Sequence, residues 1–396
     1  MKRTVILLLW TLAASAALHA QQIVSPEVHA DGSVTFRLFA PEARKVEVTG
    51  DFLPPQRILT PFGKEERAGT ASMEKGEKGE KGVWSYTSDK LEPELYSYSF
   101  IVDGMTTADP SNVYILRDVA SLMNIFLIGG GREGLYGVQE VPHGTVARRW
   151  YTSPTLGTTR RITVYTPAGY ETSGKRYPVL YLLHGMGNDE EAWLTLGRAA
   201  QILDNLIAAG KAEEMIVVMP NGNVDQQAAP GESAEGLCTP QFQLPHTMDG
   251  TFEGSFRDII SFVESSYRTV ERKEARAIAG LSMGGFHALH ISRTLPDTFG
   301  SVGLFSAAIL PEEKYMADGE FYADLEQSLM RQHEKGVGLY WIACGNSDFL
   351  WDDNREYRRL LDRIGFPYTF RESDGGHVWS NWRIYLSEFA AQLFHP

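Results

Sequence analysis

A serine flanked by glycines lies where a predicted strand gives way to a predicted helix. The segment Gly280-Leu281-Ser282-Met283-Gly284 fits the pattern G-x-S-x-G, between the apolar strand Ala277–Ala279 and the helical stretch Gly284–Thr294. Such a turn holds a serine hydroxyl above a sheet edge, beside the free N–H groups of a helix. The glycines are needed because side chains there would collide with neighbouring backbone. We therefore predict that Ser282 is the nucleophile of an acyl-transfer reaction.

A serine hydroxyl needs a base that accepts its proton, and the histidines that follow Ser282 are the candidates. His377 is favoured because it lies in the glycine-bearing loop Asp374-Gly375-Gly376-His377, ahead of the last predicted helix. The remaining candidates lie on predicted helices or at the end of the chain: His287, His290, His333 and His395.

Asp348 is the predicted acid of the triad. It follows the strand Leu339–Cys344, and catalytic groups of open α/β sheets collect at the carboxyl ends of their strands. Its carboxylate would fix the tautomer of His377 and stabilise the imidazolium. The rivals Asp352, Asp353 and Asp374 are more typical of a helix cap or of solvated charges.

A second glycine-rich loop predicts the oxyanion hole. The apolar strand Val179–Leu183 runs into His184-Gly185-Met186-Gly187, whose backbone can approach a substrate oxygen closely. We expect the N–H groups of Met283 and Met186 to donate to the oxyanion. His184 is expected to hold this loop in place.

Four aromatic residues are candidate substrate-binding groups. Trp193, Trp379 and Trp382 offer flat faces to an aromatic acyl group or a sugar. Phe242 lies in the long irregular stretch 221–250, which could form a lid or a pocket wall. For each tryptophan, a place in the core is the competing interpretation.

Strands and helices alternate beyond about His143, which predicts an α/β domain with a largely parallel, buried sheet. The predicted strands are Arg161–Tyr165, Val179–His184, Met215–Met219, Ala277–Ala279, Val302–Phe305 and Leu339–Cys344. The predicted helices are Leu196–Ala209, Gly254–Tyr267, Gly284–Thr294, Phe321–His333, Asn354–Ile364 and Asn381–Phe394.

Residues 21–137 instead show short alternating strands without a helical period, which predicts a smaller all-β sandwich. The predicted strands include Ser33–Phe39, Lys45–Thr49, Val83–Thr87, Leu95–Val102 and Met123–Leu127. The repeat EKGEKGEKG at Glu74–Gly82 is expected to be a solvated loop. The glycine-rich stretch 129–143 is the predicted link to an α/β domain over residues 138–396.

The first twenty residues indicate where the protein is located, and the composition excludes some classes of function. Met1–Ala20 combines a basic start, an apolar centre and small residues, as in a secretory signal peptide, with no lipoprotein cysteine near the cleavage site. We therefore expect a periplasmic or secreted protein without a membrane span.

With 37 basic and 50 acidic residues, the chain does not have the excess of basic residues that is typical of a nucleic-acid binder. Cys238 and Cys344 could pair or remain thiols, and no metal-binding motif or cofactor fingerprint is present.

Four blocks in order carry a resemblance to a known family. Leu180–Gly187 with Trp193, Gly280–Gly285, Cys344–Asp348 and Gly375–His377 are similar to the motifs of the esterase D / carbohydrate esterase family 1 group, in particular its feruloyl esterase branch. The similarity covers 148–396 and implies an α/β-hydrolase fold with Ser282, Asp348 and His377 as the triad. Residues 35–41 and 96–104 resemble an early-set immunoglobulin-like domain related to glycogen-binding modules.

The resemblance implies a secreted serine esterase that hydrolyses feruloyl and related hydroxycinnamoyl esters on plant polysaccharide such as xylan, without a cofactor. No convincing pair of sugar-binding aromatics is found in the N-terminal domain, because Trp84 and Tyr86 could equally be core residues, so a structural role is favoured there. Three alternatives remain: an acetyl xylan esterase, a siderophore esterase of the same two-domain plan, and a carbohydrate-binding protein with an inactive hydrolase domain. The oligomeric state is not predicted.

Overall fold

A computed structural model describes residues 23–60, 63–76, 82–131, 133–234, 239–309 and 323–395. The predicted signal peptide at Met1–Ala20 and the thiol of Cys238 lie outside the described residues. Within these ranges, no helix combines the length and apolar character that crossing a bilayer requires.

The N-terminal part of the chain forms antiparallel sheets around its own apolar core. One sheet has the strand order β1-β2-β8-β7, a second has β11-β12-β9-β3-β6 with β10 beside β9, and β4 and β5 form a separate hairpin. The strands are β1 Glu27–Val28, β2 Val34–Phe39, β3 Val46–Gly50, β4 Gln56–Thr60, β5 Gly63–Arg67, β6 Gly69–Ser72, β7 Glu74–Lys75, β8 Val83–Thr87, β9 Leu95–Val102, β10 Met105–Thr107, β11 Ile115–Asp118 and β12 Ser121–Leu127. The prediction of an all-β N-terminal domain is confirmed.

The alternation of buried and more exposed residues explains which of these strands could be predicted from the sequence. In β2 and β3, Phe36 and Val48 point into the core, and the residues beside them along the strand are mostly more exposed.

The expectation of a loop at Glu74–Gly82 is wrong at its start, since Glu74 and Lys75 pair with Ser85 and Trp84. Both residues are exposed, so no apolar alternation marks this short strand. The rest of the repeat, apart from Gly76 and Gly82, lies outside the described residues.

The C-terminal part of the chain is built on an eight-stranded sheet with the order β13-β14-β16-β15-β17-β18-β19-β20. The strands from β16 to β20 run parallel, and the β13–β14 hairpin joins the edge antiparallel. The strands are β13 Thr145–Ser153, β14 Thr158–Thr166, β15 Val179–Leu183, β16 Ile216–Pro220, β17 Arg276–Leu281, β18 Ser301–Phe305, β19 Leu339–Gly345 and β20 Thr369–Ser373. The helices are α1 Glu133–Tyr136, α2 Ala192–Thr195, α3 Ala199–Ala208, α4 Thr251–Ser266, α5 Met283–Thr294, α6 Leu325–Glu334, α7 Trp351–Ile364 and α8 Trp379–Ala390.

Helices cover both faces of this sheet, and successive strand residues enter two separate cores. Tyr181 belongs to the core that contains residues of α4, α5, α6 and α7, whereas Leu180 and Leu182 belong to the core that contains residues of α3 and α8. A parallel sheet that is buried on both faces requires continuous apolar strands, which is why these strands were readable from the sequence. The predicted α/β-hydrolase class is confirmed.

The glycine-rich link contains structure that its composition does not indicate. The short helix α1 lies in it, and Asn205 of α3 donates to the carbonyl oxygens of Leu135 and Gly137 at 3.1 and 3.0 Å. The link is therefore fixed against the α/β domain.

A buried ion pair joins the two domains. Arg383 of α8 donates to Glu94 Oε1 at 3.1 Å, to the Leu95 carbonyl at 3.2 Å and to the Leu196 carbonyl at 3.0 Å. The guanidinium also lies over the ring of Tyr136, 4.9 Å from its centroid. Because both charged side chains are under 10% exposed, each depends on the other for compensation.

Replacement of this arginine tests the junction. In Arg383→Met the Glu94 carboxylate stays buried without its partner, so we expect the free energy of unfolding to fall by about 3–5 kcal/mol. Urea denaturation followed by tryptophan fluorescence measures it. The exposed pair of Arg363 with Glu326 is the control, and Arg363→Met should change stability by less than about 1 kcal/mol. Equal effects of the two variants would contradict a stabilising junction.

Candidate active site

The predicted nucleophile lies at a strained turn between β17 and α5. Ser282 has φ 51° and ψ −117°, a backbone conformation that non-glycine residues rarely adopt. Its N–H donates to the Phe305 carbonyl at 2.9 Å, and its own carbonyl accepts from the Ala308 N–H at 3.0 Å. Backbone hydrogen bonds on both sides therefore hold the strained residue, as is typical of functional sites.

The two glycines of the motif are required by close backbone contacts. A Cβ atom on Gly280 would lie 2.3 Å from the carbonyl carbon of Gly284. A Cβ atom on Gly284 would lie 2.4 Å from the Leu183 carbonyl oxygen of the neighbouring strand. No side chain fits in these spaces, so the turn can form only with glycine at both positions.

The predicted base and acid are in direct contact. His377 Nδ1 lies 3.0 Å from Asp348 Oδ1 and 2.9 Å from Oδ2. Because a carboxylate can only accept, Nδ1 carries a proton, and in the neutral form of the ring Nε2 is therefore the acceptor. Asp348 is itself oriented by the Leu350 N–H, which donates to Oδ1 at 2.9 Å, and it is buried.

Strand order places the serine near this pair. Ser282 follows β17, Asp348 follows β19 and His377 follows β20, and all three loops leave the carboxyl edge of the parallel sheet. Among the described residues, the Ser282 hydroxyl has no hydrogen-bond partner, so its bond to His377 is not formed in this structure. Catalytic hydrogen bonds commonly tighten only when substrate binds.

Aromatic rings hold the His377 imidazole in place. The Phe349 ring lies 4.5 Å from it and the Trp382 ring meets it edge-on at 4.8 Å. Trp382 is 5% exposed and donates from Nε1 to Ser306 Oγ at 3.2 Å. It is therefore a support for the base, and the prediction that it offers an open face to substrate is wrong.

The other aromatic candidates differ in exposure. Trp193 is 1% exposed, donates to the Leu183 carbonyl at 2.9 Å and packs against Trp379 at 5.4 Å. The prediction of a substrate contact for Trp193 is wrong, because a large apolar ring after this strand fills the core. Trp379 is half-buried, and Phe242 is 51% exposed, so both remain candidates.

The glycine-rich loop after β15 lies against the nucleophile. A Cβ atom on Gly185 would lie 3.5 Å from Ser282 Cβ, so the half-buried Met186 follows within reach of the same space. Met283 begins α5, where the first N–H groups have no partner within the helix. Both predicted oxyanion donors thus lie beside Ser282.

His184 fixes this loop to the segment after β16. Its Nε2 accepts the Gly222 N–H at 2.8 Å, and its Nδ1 donates to the Gly185 carbonyl at 2.7 Å. Burial lowers the pKa of His184 to about 4, so the ring stays neutral and keeps both bonds at neutral pH.

The histidines of α5 serve packing. His287 is fully buried, with Nδ1 2.9 Å from Glu253 Oε1 of α4, and His290 accepts the Arg293 Nε–H at 2.8 Å. Of the acidic rivals, Asp352 pairs with Arg355 in the first turn of α7, and Asp374 accepts a hydrogen bond from Asn346.

One part of the site had no signal in the sequence. The tight turn between β11 and β12 of the N-terminal domain reaches the oxyanion loop, where the Val119 Cγ1 atom lies 2.9 Å from the position of a Cβ on Gly187. Asn188 Nδ2 donates to Asp118 Oδ1 at 3.0 Å, and Arg117 pairs with Asp189. Val119 has φ 51°, an outlier for a β-branched residue. The turn is therefore strained in the conformation that makes this contact.

Comparison with known proteins identifies the α/β domain. Residues 153–393 match the family described as "Putative esterase", which is more than half of the chain. The chain belongs to this esterase family. Residues 24–115 match carbohydrate-binding module 48, the isoamylase N-terminal domain. The resemblance to an esterase with an early-set N-terminal domain is confirmed, and so, at the level of the family, is the expectation of an ester hydrolase.

Similar proteins include curated relatives and solved structures that cover different shares of the chain. It is 28% identical over 380 residues to an endo-1,4-beta-xylanase/feruloyl esterase of Xylanibacter ruminicola, covering 93% of this chain and 46% of that protein, so the chain spans about half of that relative's length. A CE1 ferulic acid esterase from Anaeromyces mucronatus in complex with ferulic acid is 26% identical, with a TM-score of 0.56 over 67% of this chain and 96% of its own. The enterobactin esterase of Shigella flexneri shares the fold, at 19% identity and a TM-score of 0.61, over 91% of this chain and 92% of its own.

Substitution of Gly187 tests the contact between the turn and the oxyanion loop. Gly187 has φ 75°, and in Gly187→Ala the new Cβ meets Val119 and the Phe242 backbone at 2.9 Å. A displacement of about 1 Å in a catalytic loop can lower the reaction rate about 10²-fold, so we expect kcat/KM on a chromogenic ester to fall by about that factor.

Gly210→Ala is the matched control. Gly210 has φ 65° but nothing within 4 Å of an added Cβ, so it carries the same backbone strain without the collision. This variant should lose about 1 kcal/mol of stability and keep its kcat/KM. A similar loss of activity in both variants would show that the Gly187 contact is irrelevant.

The neutral His184 makes stability depend on pH. Unfolding returns its pKa from about 4 to about 6.5, so below pH 6.5 the unfolded chain binds a proton that the folded chain does not. The free energy of unfolding should therefore fall by about 2 kcal/mol from pH 7 to pH 5 on account of this residue. In His184→Gln, which keeps an acceptor but does not titrate, urea denaturation at the two pH values should show a smaller fall. An unchanged pH dependence would contradict the assignment.

Proposed function

We propose that the protein is a serine esterase in which Ser282 attacks the ester carbonyl. The contact of His377 with Asp348, on the same sheet edge as the strained Ser282 turn, is the observation that carries the proposal. His377 Nε2 takes the serine proton as the bond to the carbonyl carbon forms, and returns it to the alcohol oxygen as the ester bond breaks. Water then attacks the acyl-enzyme with the same proton transfers and frees the acid and Ser282.

The oxyanion of each tetrahedral intermediate is assigned to the N–H groups of Met283 and Met186. Both lie beside Ser282, and Met283 begins a twelve-residue helix whose dipole favours negative charge at that end. His184 acts as a positioning residue, because it ties the loop that carries Met186 to Gly222.

The proposed substrate is a hydroxycinnamoyl ester, such as a feruloyl ester, on plant cell-wall polysaccharide. The Xylanibacter relative and the Anaeromyces structure, both named for ferulate ester hydrolysis, support this choice. The exposed ring of Phe242 and the half-buried Trp379 are the proposed contacts of the acyl group. The Phe242 backbone lies against Gly187 of the oxyanion loop, and Trp379 is two residues after His377.

We also propose that the chain is exported. Its first twenty residues have the pattern of a signal peptide, and a polysaccharide substrate is found outside the cytoplasm. The segments 21–137 and 138–396 are the proposed domains, with the first mainly structural in role because its core tryptophan Trp84 is buried.

A substrate panel tests the function. Methyl ferulate and other methyl hydroxycinnamates, acetylated xylan and a catecholate siderophore ester are incubated with the wild type, and the released acids are quantified. We expect the highest kcat/KM on methyl ferulate. A preference for acetyl or catecholate esters would show that the proposed substrate is wrong and that the enzyme acts on the preferred ester. Binding of insoluble xylan without turnover of any ester would favour a non-catalytic protein.

Ser282→Ala is the test of the mechanism. The variant should lose more than about 10³-fold in kcat on methyl ferulate, because the acyl-enzyme cannot form. Ser265→Ala, in which an exposed serine of α4 is changed, is the matched control and should retain activity. Retained turnover in Ser282→Ala would overturn the assignment.

A further inference from the structure

A cavity of about 400 Å³ lies at the junction of the two domains, outside the proposed triad. Strand β11 of the N-terminal domain contributes one wall, and β13 and β14 of the esterase domain contribute another. Its charged lining consists of Arg117, Arg148, Arg161, Asp189, Glu191 and Glu232. The volume is within the range of small-molecule sites, about 300–1,000 Å³.

The charges of the lining are balanced. Arg148 binds Glu191 through two bonds of 2.6 and 2.7 Å, and Arg161 contacts Glu191 at 3.0 Å and Glu232 at 2.9 Å. The third arginine, Arg117, pairs with Asp189. Behind the lining, Arg161 also donates to the buried Glu190 Oε1 at 2.7 Å. Each guanidinium group is thus matched by at least one carboxylate, so the cavity has no excess positive charge that would attract an anion. These groups do offer alternating donors and acceptors, which suits a neutral ligand rich in hydroxyl groups.

An exposed tryptophan adjoins this lining on the edge strand. Trp150 is 45% exposed and is paired in register with Arg161, so their side chains share one face of the β13–β14 hairpin. Arg148 lies two residues before Trp150 and therefore projects from the same face. A flat apolar ring next to polar groups is the arrangement that a sugar ring with its hydroxyls can use.

The cavity is connected to the proposed catalytic loop by the chain itself. Asn188 and Asp189, which line it, directly follow Gly185–Gly187, and Gly185 lies against Ser282. Arg117 likewise adjoins Asp118, the partner of Asn188. A ligand whose ester carbonyl reached Ser282 could thus extend its alcohol portion toward the cavity.

We propose that this junction cavity binds the saccharide portion of the ester substrate, a neutral oligosaccharide of xylan type. The proposal rests on the proposed function and deepens it, since it assigns the sugar to residues of the esterase domain in a cavity that β11 of the N-terminal domain helps to enclose. Trp150 would stack on a sugar ring, and Arg148 and Glu232 at the open rim would exchange hydrogen bonds with its hydroxyls.

Direct binding tests the site independently of ester chemistry. Xylohexaose is titrated calorimetrically into Ser282→Ala, and into the same protein carrying Trp150→Ala or Arg148→Leu. We expect saturable binding that each second substitution weakens about tenfold, the loss from one stacking contact or charged hydrogen bond. Arg363→Leu removes a comparably exposed arginine elsewhere and should leave the affinity unchanged. Circular dichroism and the thermal midpoint check that each variant is folded.

Kinetics give a second readout. The ratio of kcat/KM on a feruloylated arabinoxylo-oligosaccharide to that on methyl ferulate should fall about tenfold in Trp150→Ala, through KM, because methyl ferulate has no sugar. No binding of xylohexaose, binding of maltohexaose alone, or variants that match the control would each overturn the inference. If wild type hydrolyses neither feruloyl ester but still binds xylohexaose at Trp150, the proposed function fails and the saccharide site stands.

Discussion

The site depends on how closely backbone approaches backbone at the turn that carries Ser282. Gly280 and Gly284 leave no room for a Cβ atom, and hydrogen bonds from Ala308 and to Phe305 keep the serine in its strained conformation. The sheet below the turn is rigid, because residues of β15, β17 and β18 are buried in the cores on both of its faces. The close contacts at Gly284 and Gly185 also fix the start of α5 and the loop after β15.

Two neighbouring residues of α8 contact different parts of the molecule, the catalytic base and the N-terminal domain. Trp382 packs against the His377 ring, and the next residue, Arg383, binds Glu94 and the Leu95 carbonyl of the N-terminal domain. A second connection runs from the β11–β12 turn to the oxyanion loop through Asp118 and Asn188. Both the base and the oxyanion loop therefore have contacts that lead to the N-terminal domain.

Much of the fold and the core of the site could be predicted from the sequence. The strands that hold Ser282 and Asp348 are continuous apolar runs, and glycine positions mark the loops because local sterics demand them. The place of Trp193 could not be predicted, since an aromatic residue near a site has the same composition signal whether it faces the core or the solvent. Val119 was also beyond prediction, because its role arises from the packing of one domain on another.

The arrangement at Arg383 has an evolutionary consequence. A module that merely tethers an enzyme to its polymer can be exchanged or lost by recombination, because the catalytic unit folds without it. Here a replacement domain that covered the guanidinium of Arg383 without supplying an acidic partner would leave a buried charge uncompensated. Gene fusion alone would therefore not replace the leading domain, and the two halves of this chain must change together.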